Sequence, residues 1–134
     1  MPQQLFQTLA QAASTTEGKA LYLLALLCLT MALDFLLGSL AAWRDPSVKF
    51  TSGRGIDGIL RKLASILVLT LCIPVSALIP QGTGTFALIV LYLGYLVMEL
   101  ASVIENLERL GVPVAALRRF IENISDTVRH NEKD

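Results

Sequence analysis

Two long apolar segments, almost free of charge, limit what this chain can fold into. The first lies between Lys19 and Arg44, where 24 residues contain one charged side chain, Asp34. As a helix this segment would reach ~36 Å at ~1.5 Å per residue, enough to cross a ~30 Å hydrocarbon core with some tilt. A signal peptide is a weaker interpretation, because the run is longer than a signal h-region and Asp34 interrupts it. The segment predicts a membrane span at about residues 20–43.

The second segment, Leu63–Met98, has 36 residues and no charge. As one helix it would be ~54 Å long, too long for an ordinary bilayer. The breakers Pro80–Gly84 divide it into two predicted spans, at about residues 63–80 and 85–104, and Pro74 predicts a kink in the first of them. The predicted fold class is therefore all-α, an integral membrane protein with three transmembrane helices plus a short C-terminal amphipathic helix.

The charges flanking these spans predict their orientation. The connection 44–62 is strongly basic, whereas the turn Pro80–Gly84 has no charge. By the positive-inside rule the basic loop is cytoplasmic. Segment 1–18 is then extracytoplasmic, residues 19–112 form the membrane domain, and residues 113–134 form a cytoplasmic helix and polar tail.

Composition excludes several classes of function. The chain is 54% hydrophobic but only 7% aromatic, and eleven basic residues balance eleven acidic ones, so nothing indicates nucleic-acid binding. Cys28 and Cys72 lie in apolar runs without CxxC spacing, and His130 is the only histidine. We therefore expect no metal site, no catalytic residue, no cofactor and no enzyme activity.

Asp34 is the most informative residue of the first span. A carboxylate near the middle of a bilayer costs roughly 2.5 to 3.5 kcal/mol, so it needs a partner or water. Thr30, Asp34, Gly38 and Ala42 fall on one helical stripe, where small residues let another backbone approach. This stripe predicts either a subunit interface or pore wall, or a hydrogen-bonded position inside a single three-helix bundle.

The third predicted span has a second polar face. Its members recur at three- and four-residue steps: Tyr92, Tyr95, Glu99, Ser102 and Asn106. Such a face is typical of a pore lumen. An ion pair between Glu99 and either Arg61 or Lys62 explains the same carboxylate equally well.

Residues 53–58, GRGIDG, match the pattern G-x-G-x-x-G of dinucleotide-binding loops. No strand precedes them and no βαβ unit fits between two spans, so we reject that interpretation. Gly53, Gly55 and Gly58 are instead expected to bend a tight cytoplasmic loop. Arg54 adds charge to that loop, and Arg61 and Lys62 anchor the second span.

Two further patterns predict helix ends. Ser14, with Glu17 three residues later, predicts a capping box before the first span. Gly111 predicts the end of the third span, and Pro113 predicts the first turn of a following helix. That helix repeats apolar residues at steps of three and four, which favours lying on the membrane surface or packing on the bundle.

The chain resembles the toxin-secretion/phage-lysis holins, small three-helix membrane proteins, over about residues 19–122. The residues that carry the resemblance form three blocks: 31–38 (MALDFLLG) with 41–43 (AAW); 51–55 (TSGRG) with 58–63; and 99–106 (ELASVIEN) with 110–113 (LGVP). The resemblance implies accumulation in the bacterial cytoplasmic membrane, homo-oligomerisation, and a timed lesion that releases an endolysin or, in some systems, a toxin.

Two functional hypotheses follow. The leading one is a holin, a homo-oligomeric pore in the lipid bilayer whose wall carries the Asp34 and Glu99 faces. The alternative is a non-lytic membrane protein that serves toxin or protein export, or recruits a partner through residues 113–134. The next methionine after Met1 is Met31, inside the first span, so the sequence does not support an antiholin made from a second start.

Overall fold

Helices account for almost all of the part of the chain that the structure describes. A computed structural model describes residues 2–47, 52–80 and 82–133. Within these ranges the chain forms five helices: α1 (Pro2–Ala12), α2 (Thr16–Arg44), α3 (Ser52–Ala77), α4 (Thr83–Arg109) and α5 (Ala115–Lys133). Helices α2, α3 and α4 are long and apolar enough to cross a membrane. The predicted fold class is confirmed.

The three long helices exceed the thickness of a hydrocarbon core. Helices α2, α3 and α4 contain 29, 26 and 27 residues, which correspond to ~43, ~39 and ~40 Å. A ~30 Å core therefore leaves about 10 Å of each helix for the headgroup regions. Arg44, Arg54 and Arg109 lie at one end of the three-helix bundle, which we call the basic end.

The prediction of a bent loop up to Lys62 was wrong. Helix α3 begins at Ser52, so Gly53, Gly55 and Gly58 are helical. Each glycine in a helix costs only about 1 kcal/mol relative to alanine. A helix pairs its own backbone groups, and leaving those groups unpaired near a bilayer costs more. Residues 48–51 of the predicted loop lie outside the described residues.

Local hydrogen bonds define the ends of α2, α4 and α5. The N-cap of α2 is Thr15, whose hydroxyl accepts from the Gly18 N–H, so the capping box expected at Ser14 was wrong by one residue. Ser14 instead donates to the Gln11 carbonyl at the end of α1. Gly111, at φ 83°, ends α4 as predicted. Pro113 precedes α5, which begins at Ala115, so its predicted place in the first turn was wrong.

The apolar core lies where α2, α3 and α4 meet. Its largest fully buried side chains are Leu27, Met31, Leu69 and Tyr92. The Tyr92 hydroxyl donates to the Leu69 carbonyl, close to Pro74, which lacks an N–H for the Thr70 carbonyl. Tyr92 therefore joins α4 to α3 beside the proline instead of facing a lumen in the monomer.

Helix α3 is the most exposed of the three spans. Only 6% of its most apolar stretch is buried, against 33% for α2 and 28% for α4. Its outer face is apolar, as Leu63, Leu67 and Leu71 illustrate. This face is suited to contact acyl chains or another subunit.

Helix α5 turns back along α4. Val114 and Val128 are buried, and Arg118 pairs with Glu108 of α4. Asn131 and Glu132, near its end, share a cleft with Ala87 and Leu91. Of the sequence-based alternatives for this helix, the monomer shows packing on the bundle.

The turn between α3 and α4 requires a glycine at position 84. A Cβ atom there would lie 2.1 Å from the Ser76 carbonyl oxygen and 2.9 Å from the Ile79 Cβ. Gly84→Ala should therefore lower the midpoint of unfolding in mixed detergent and SDS micelles, measured by circular dichroism. Gly94→Ala, also in α4, is the matched control, because a Cβ there meets nothing within 4 Å. Equal midpoints for the two variants would contradict the expected clash.

Candidate functional site

Three charged side chains meet inside the bundle, one from each long helix. Lys62 of α3 places its Nζ 2.9 Å from Asp34 Oδ2 of α2 and 2.7 Å from Glu99 Oε2 of α4. We call these three residues the ion cluster. The side chains of Lys62, Asp34 and Glu99 are 23%, 11% and 17% exposed, so the cluster is largely shielded from solvent.

All three members lie at the same depth. Asp34 is ten residues before Arg44, Lys62 is ten after Ser52, and Glu99 is ten before Arg109. At ~1.5 Å per residue the cluster therefore lies ~15 Å inside the basic end. Because α3 starts at Ser52, Lys62 is well within the bundle and reaches both carboxylates.

Asn106 adds a fourth polar group to the cluster. Its Nδ2 donates to Asp34 Oδ1 at 2.8 Å and to the Asp34 carbonyl at 3.3 Å. A Cβ atom on Gly38 would lie 3.3 Å from that same nitrogen, so the missing side chain at position 38 leaves room for the amide. Asp34 thus has partners on both α3 and α4.

These contacts offset the free-energy cost of placing carboxylates among apolar helices. An unpaired charge in the hydrocarbon region costs several kcal/mol, whereas an ion pair with further hydrogen bonds offsets much of that cost. Among the described residues, every buried side-chain nitrogen and oxygen has a hydrogen-bond partner. In the monomer the cluster is therefore a polar layer between the three spans whose groups are paired with one another.

In the monomer Glu99 forms an ion pair, the second of the two interpretations that the sequence left open for this carboxylate. Its partner is Lys62, while Arg61, the other candidate, is exposed on α3. Periodicity alone did not reveal the Asp34–Asn106 bond, because the two residues were assigned to separate faces. Counted from the helix ends, Asp34 lies ten residues and Asn106 three residues from the basic end, so depth along the helices did not predict this contact either.

The other predicted face residues divide between the bundle interior and its surface. Thr30 is buried and bonds to the Leu26 carbonyl of its own helix. Ala42, Tyr95 and Ser102 are half-buried. The polar faces of α2 and α4 meet at Asp34 and Asn106, and their role in an oligomer stays a prediction.

The residues expected in the cytoplasmic loop lie along α3. Gly55, Gly58, Arg54 and Lys62 line a cleft beside α2, whereas a Cβ on Gly53 would meet no atom within 4 Å. Cys28 and Cys72 are free thiols. No group of metal-ligating side chains occurs in residues 2–47, 52–80 and 82–133.

Comparison with known proteins assigns the family. The family model described as the Bacteriophage holin family matches residues 11–126. The chain belongs to this holin family. The resemblance stated from the sequence is confirmed, and this family member is a phage holin-like protein of the bacterial inner membrane.

Two curated relatives match the same holin-like chain. The antiholin of Bacillus phage phi29 is 32% identical over 93 residues, which cover 69% of this chain and 70% of the relative. The antiholin of Bacillus phage PZA is 31% identical over the same shares of both chains. No solved structure matches.

Removal of the shared cation tests the cluster. Lys62→Met leaves two carboxylates side by side without a counter-ion, which should destabilise the folded protein by on the order of 3 kcal/mol. The measurement is reversible unfolding in mixed detergent and SDS micelles.

Arg61→Met is the matched control for that experiment. Arg61 is exposed and makes no ion pair with the described residues, so its removal should change stability by less than about 0.5 kcal/mol. Adding Asp34→Asn and Glu99→Gln to Lys62→Met should restore part of the loss. Similar effects of the two single variants would show that the cluster does not stabilise the bundle.

Proposed function

We propose that this holin-family protein self-associates in the bacterial cytoplasmic membrane and permeabilises it, which lets an endolysin reach the cell wall. The observation that carries the proposal is the ion cluster, a polar layer within three apolar spans of a holin-family chain. Three apolar helices alone would need no such layer. When the polar side chains of this layer exchange their partners within the chain for water, the helix faces that carry them can line an aqueous lumen.

The monomer corresponds to the resting state in this proposal. Asp34, Glu99 and Asn106 have partners within one chain, so acyl chains meet mostly apolar side chains. In the open assembly the same polar groups would turn toward a water-filled lumen, with the small residues Gly38 and Ala42 at the contact between subunits. The exposed apolar face of α3 offers a surface on which subunits can pack first.

The proposed orientation places the basic end in the cytoplasm. That end has Arg44, Arg54 and Arg109, whereas the described part of the turn between α3 and α4 has no charge. The positive-inside rule then puts the amino terminus outside and the start of α5 inside. A carboxyl terminus that is also inside requires α5 to leave α4, because in the monomer Asn131 and Glu132 lie beside Ala87, near the start of α4. Cysteines introduced near either terminus and labelled with a membrane-impermeant reagent test this arrangement.

Inducible expression in bacteria tests the lesion. We expect the membrane potential, followed with a potential-sensitive dye, to collapse after a delay, and a co-expressed cytoplasmic endolysin then to lyse the cells. Membrane levels of the protein are measured in the same cultures. Sustained growth at high membrane levels would contradict the proposal.

Asp34→Leu tests the role of the ion cluster in timing. Loss of this carboxylate leaves Lys62 paired with Glu99 alone and removes a polar group from the proposed lumen. The onset of the lesion should be abolished or strongly shifted. Asp57→Leu, at an exposed acid of α3, is the control and should keep the wild-type onset. An unchanged onset in Asp34→Leu would make Asp34 a structural residue only.

An inhibitory role is the second candidate, and the names of the two relatives favour it. A protein of that kind would not permeabilise the membrane alone and would delay lysis by an autonomous holin expressed with it. Co-expression therefore separates the candidates, because a second pore-former should leave the onset unchanged or advance it.

Export or partner recruitment through α5 is the remaining alternative. Deletion of residues 113–134 would abolish the activity of a recruiter. A pore-former should still permeabilise the membrane, with altered timing at most.

A further inference from the structure

A polar cleft of about 420 Å³ opens at the basic end between α2 and α3. Small residues line it on both helices and leave the space unfilled: Gly38, Ser39 and Ala42 from α2, and Gly55 and Gly58 from α3. Asn106 and Arg109 of α4 border it as well. The small residues thus create space close to the headgroup region.

The lining of this polar cleft favours an anion. Three of the four charged side chains that line it are basic, namely Arg54, Lys62 and Arg109, and the fourth, Asp34, forms an ion pair with Lys62. Arg109 donates to the Asn106 side-chain oxygen at 3.3 Å, which orients its guanidinium beside the cleft.

Charges of both signs lie near the cleft at this end. Asp45 is the acid beside Arg109: hydrogen bonds from Ser47 lower its pKa, and the charge of Arg109 adds a smaller effect in the same direction. Arg44 is close by and donates to the Leu110 carbonyl. Asp57, Glu105 and Glu108 are acids of the same end, so the excess of positive charge is confined to the lining of the cleft.

An apolar groove of about 200 Å³ continues from the polar cleft. The two spaces share Phe35 and Lys62, and the groove runs on between α2 and α3 along apolar side chains that include Met31, Leu63 and Ile66. A cationic space directly above an apolar one matches the two parts of an amphiphile. Inorganic phosphate would use only the upper part.

We propose that the polar cleft and the apolar groove together bind one anionic phospholipid, with its phosphate at Arg54 and Arg109 and an acyl chain against Phe35 and Leu63. Basic pockets between membrane helices bind anionic headgroups in this way. The site needs only the folded monomer, so lipid binding can be tested whether or not the protein makes a lesion, although Gly38 and Ala42 line both this site and the proposed subunit contact.

Lipid binding to the full-length protein in detergent tests the proposal. Native mass spectrometry or fluorescence competition compares phosphatidylglycerol with phosphatidylcholine of the same acyl chains, and with inorganic phosphate. We expect phosphatidylglycerol to bind more tightly than phosphatidylcholine and millimolar phosphate not to displace it. Equal binding of the two lipids, or displacement by phosphate alone, would overturn the assignment.

Charge variants locate the headgroup. Arg54→Gln and Arg109→Gln should each weaken phosphatidylglycerol binding about fivefold, the effect of one basic group near an anionic headgroup. Arg119→Gln, at an exposed arginine of α5, removes the same charge outside the cleft and should have no effect. A uniform loss in all three variants would indicate attraction by overall charge and overturn the site.

A shape variant tests the same site with every charge kept. A Cβ on Gly58 would lie 3.9 Å from Phe35 Cδ2, which is an ordinary van der Waals contact, so the first carbon of a new side chain fits there. The rest of the leucine side chain in Gly58→Leu would extend into the cleft. Gly53→Leu, in the same helix but outside the cleft, is the control. Loss of phosphatidylglycerol binding in the first variant alone supports the proposal, and retained binding in a folded Gly58→Leu protein contradicts it.

Discussion

The need to pair charge inside an apolar bundle determines how the three spans are arranged. Lys62 serves two carboxylates at once, Asp34 at 2.9 Å and Glu99 at 2.7 Å. A bilayer penalises each ion that lacks a partner, so α2, α3 and α4 must align these residues at one depth. The apolar core then packs on one side of this layer, and the arginines of the basic end lie on the other.

The sequence predicts much of this fold because long uncharged runs have few solutions in a membrane. It did not place Lys62 inside the bundle, since glycines at 53, 55 and 58 indicated a loop. The cost of unpaired backbone groups near lipid outweighs the weak helix propensity of glycine, and α3 extends to Ser52. Once α3 has its full length, the pairing of Lys62 with Asp34 follows from depth alone.

Glycines and other small residues serve two different purposes at the basic end. Gly38 leaves space for the Asn106 amide, which brings α2 and α4 together at Asp34. Gly55 and Gly58 instead have no side chain to fill the space between α2 and α3 at that end, which leaves a cleft there. Periodicity identifies such positions, but only the contacts show whether the missing side chain admits a neighbour or leaves a space.

The sharing of Lys62 also has a consequence for biogenesis. Helices enter a membrane in chain order, so α2 arrives first with Asp34 alone, and α3 then supplies Lys62 and completes a neutral pair. Helix α4 comes last and adds Glu99 together with Asn106, which anchors Asp34 through its amide. The charges that α2 and α3 bring into the ion cluster therefore balance before synthesis ends, and the final helix brings the one carboxylate of the cluster in excess.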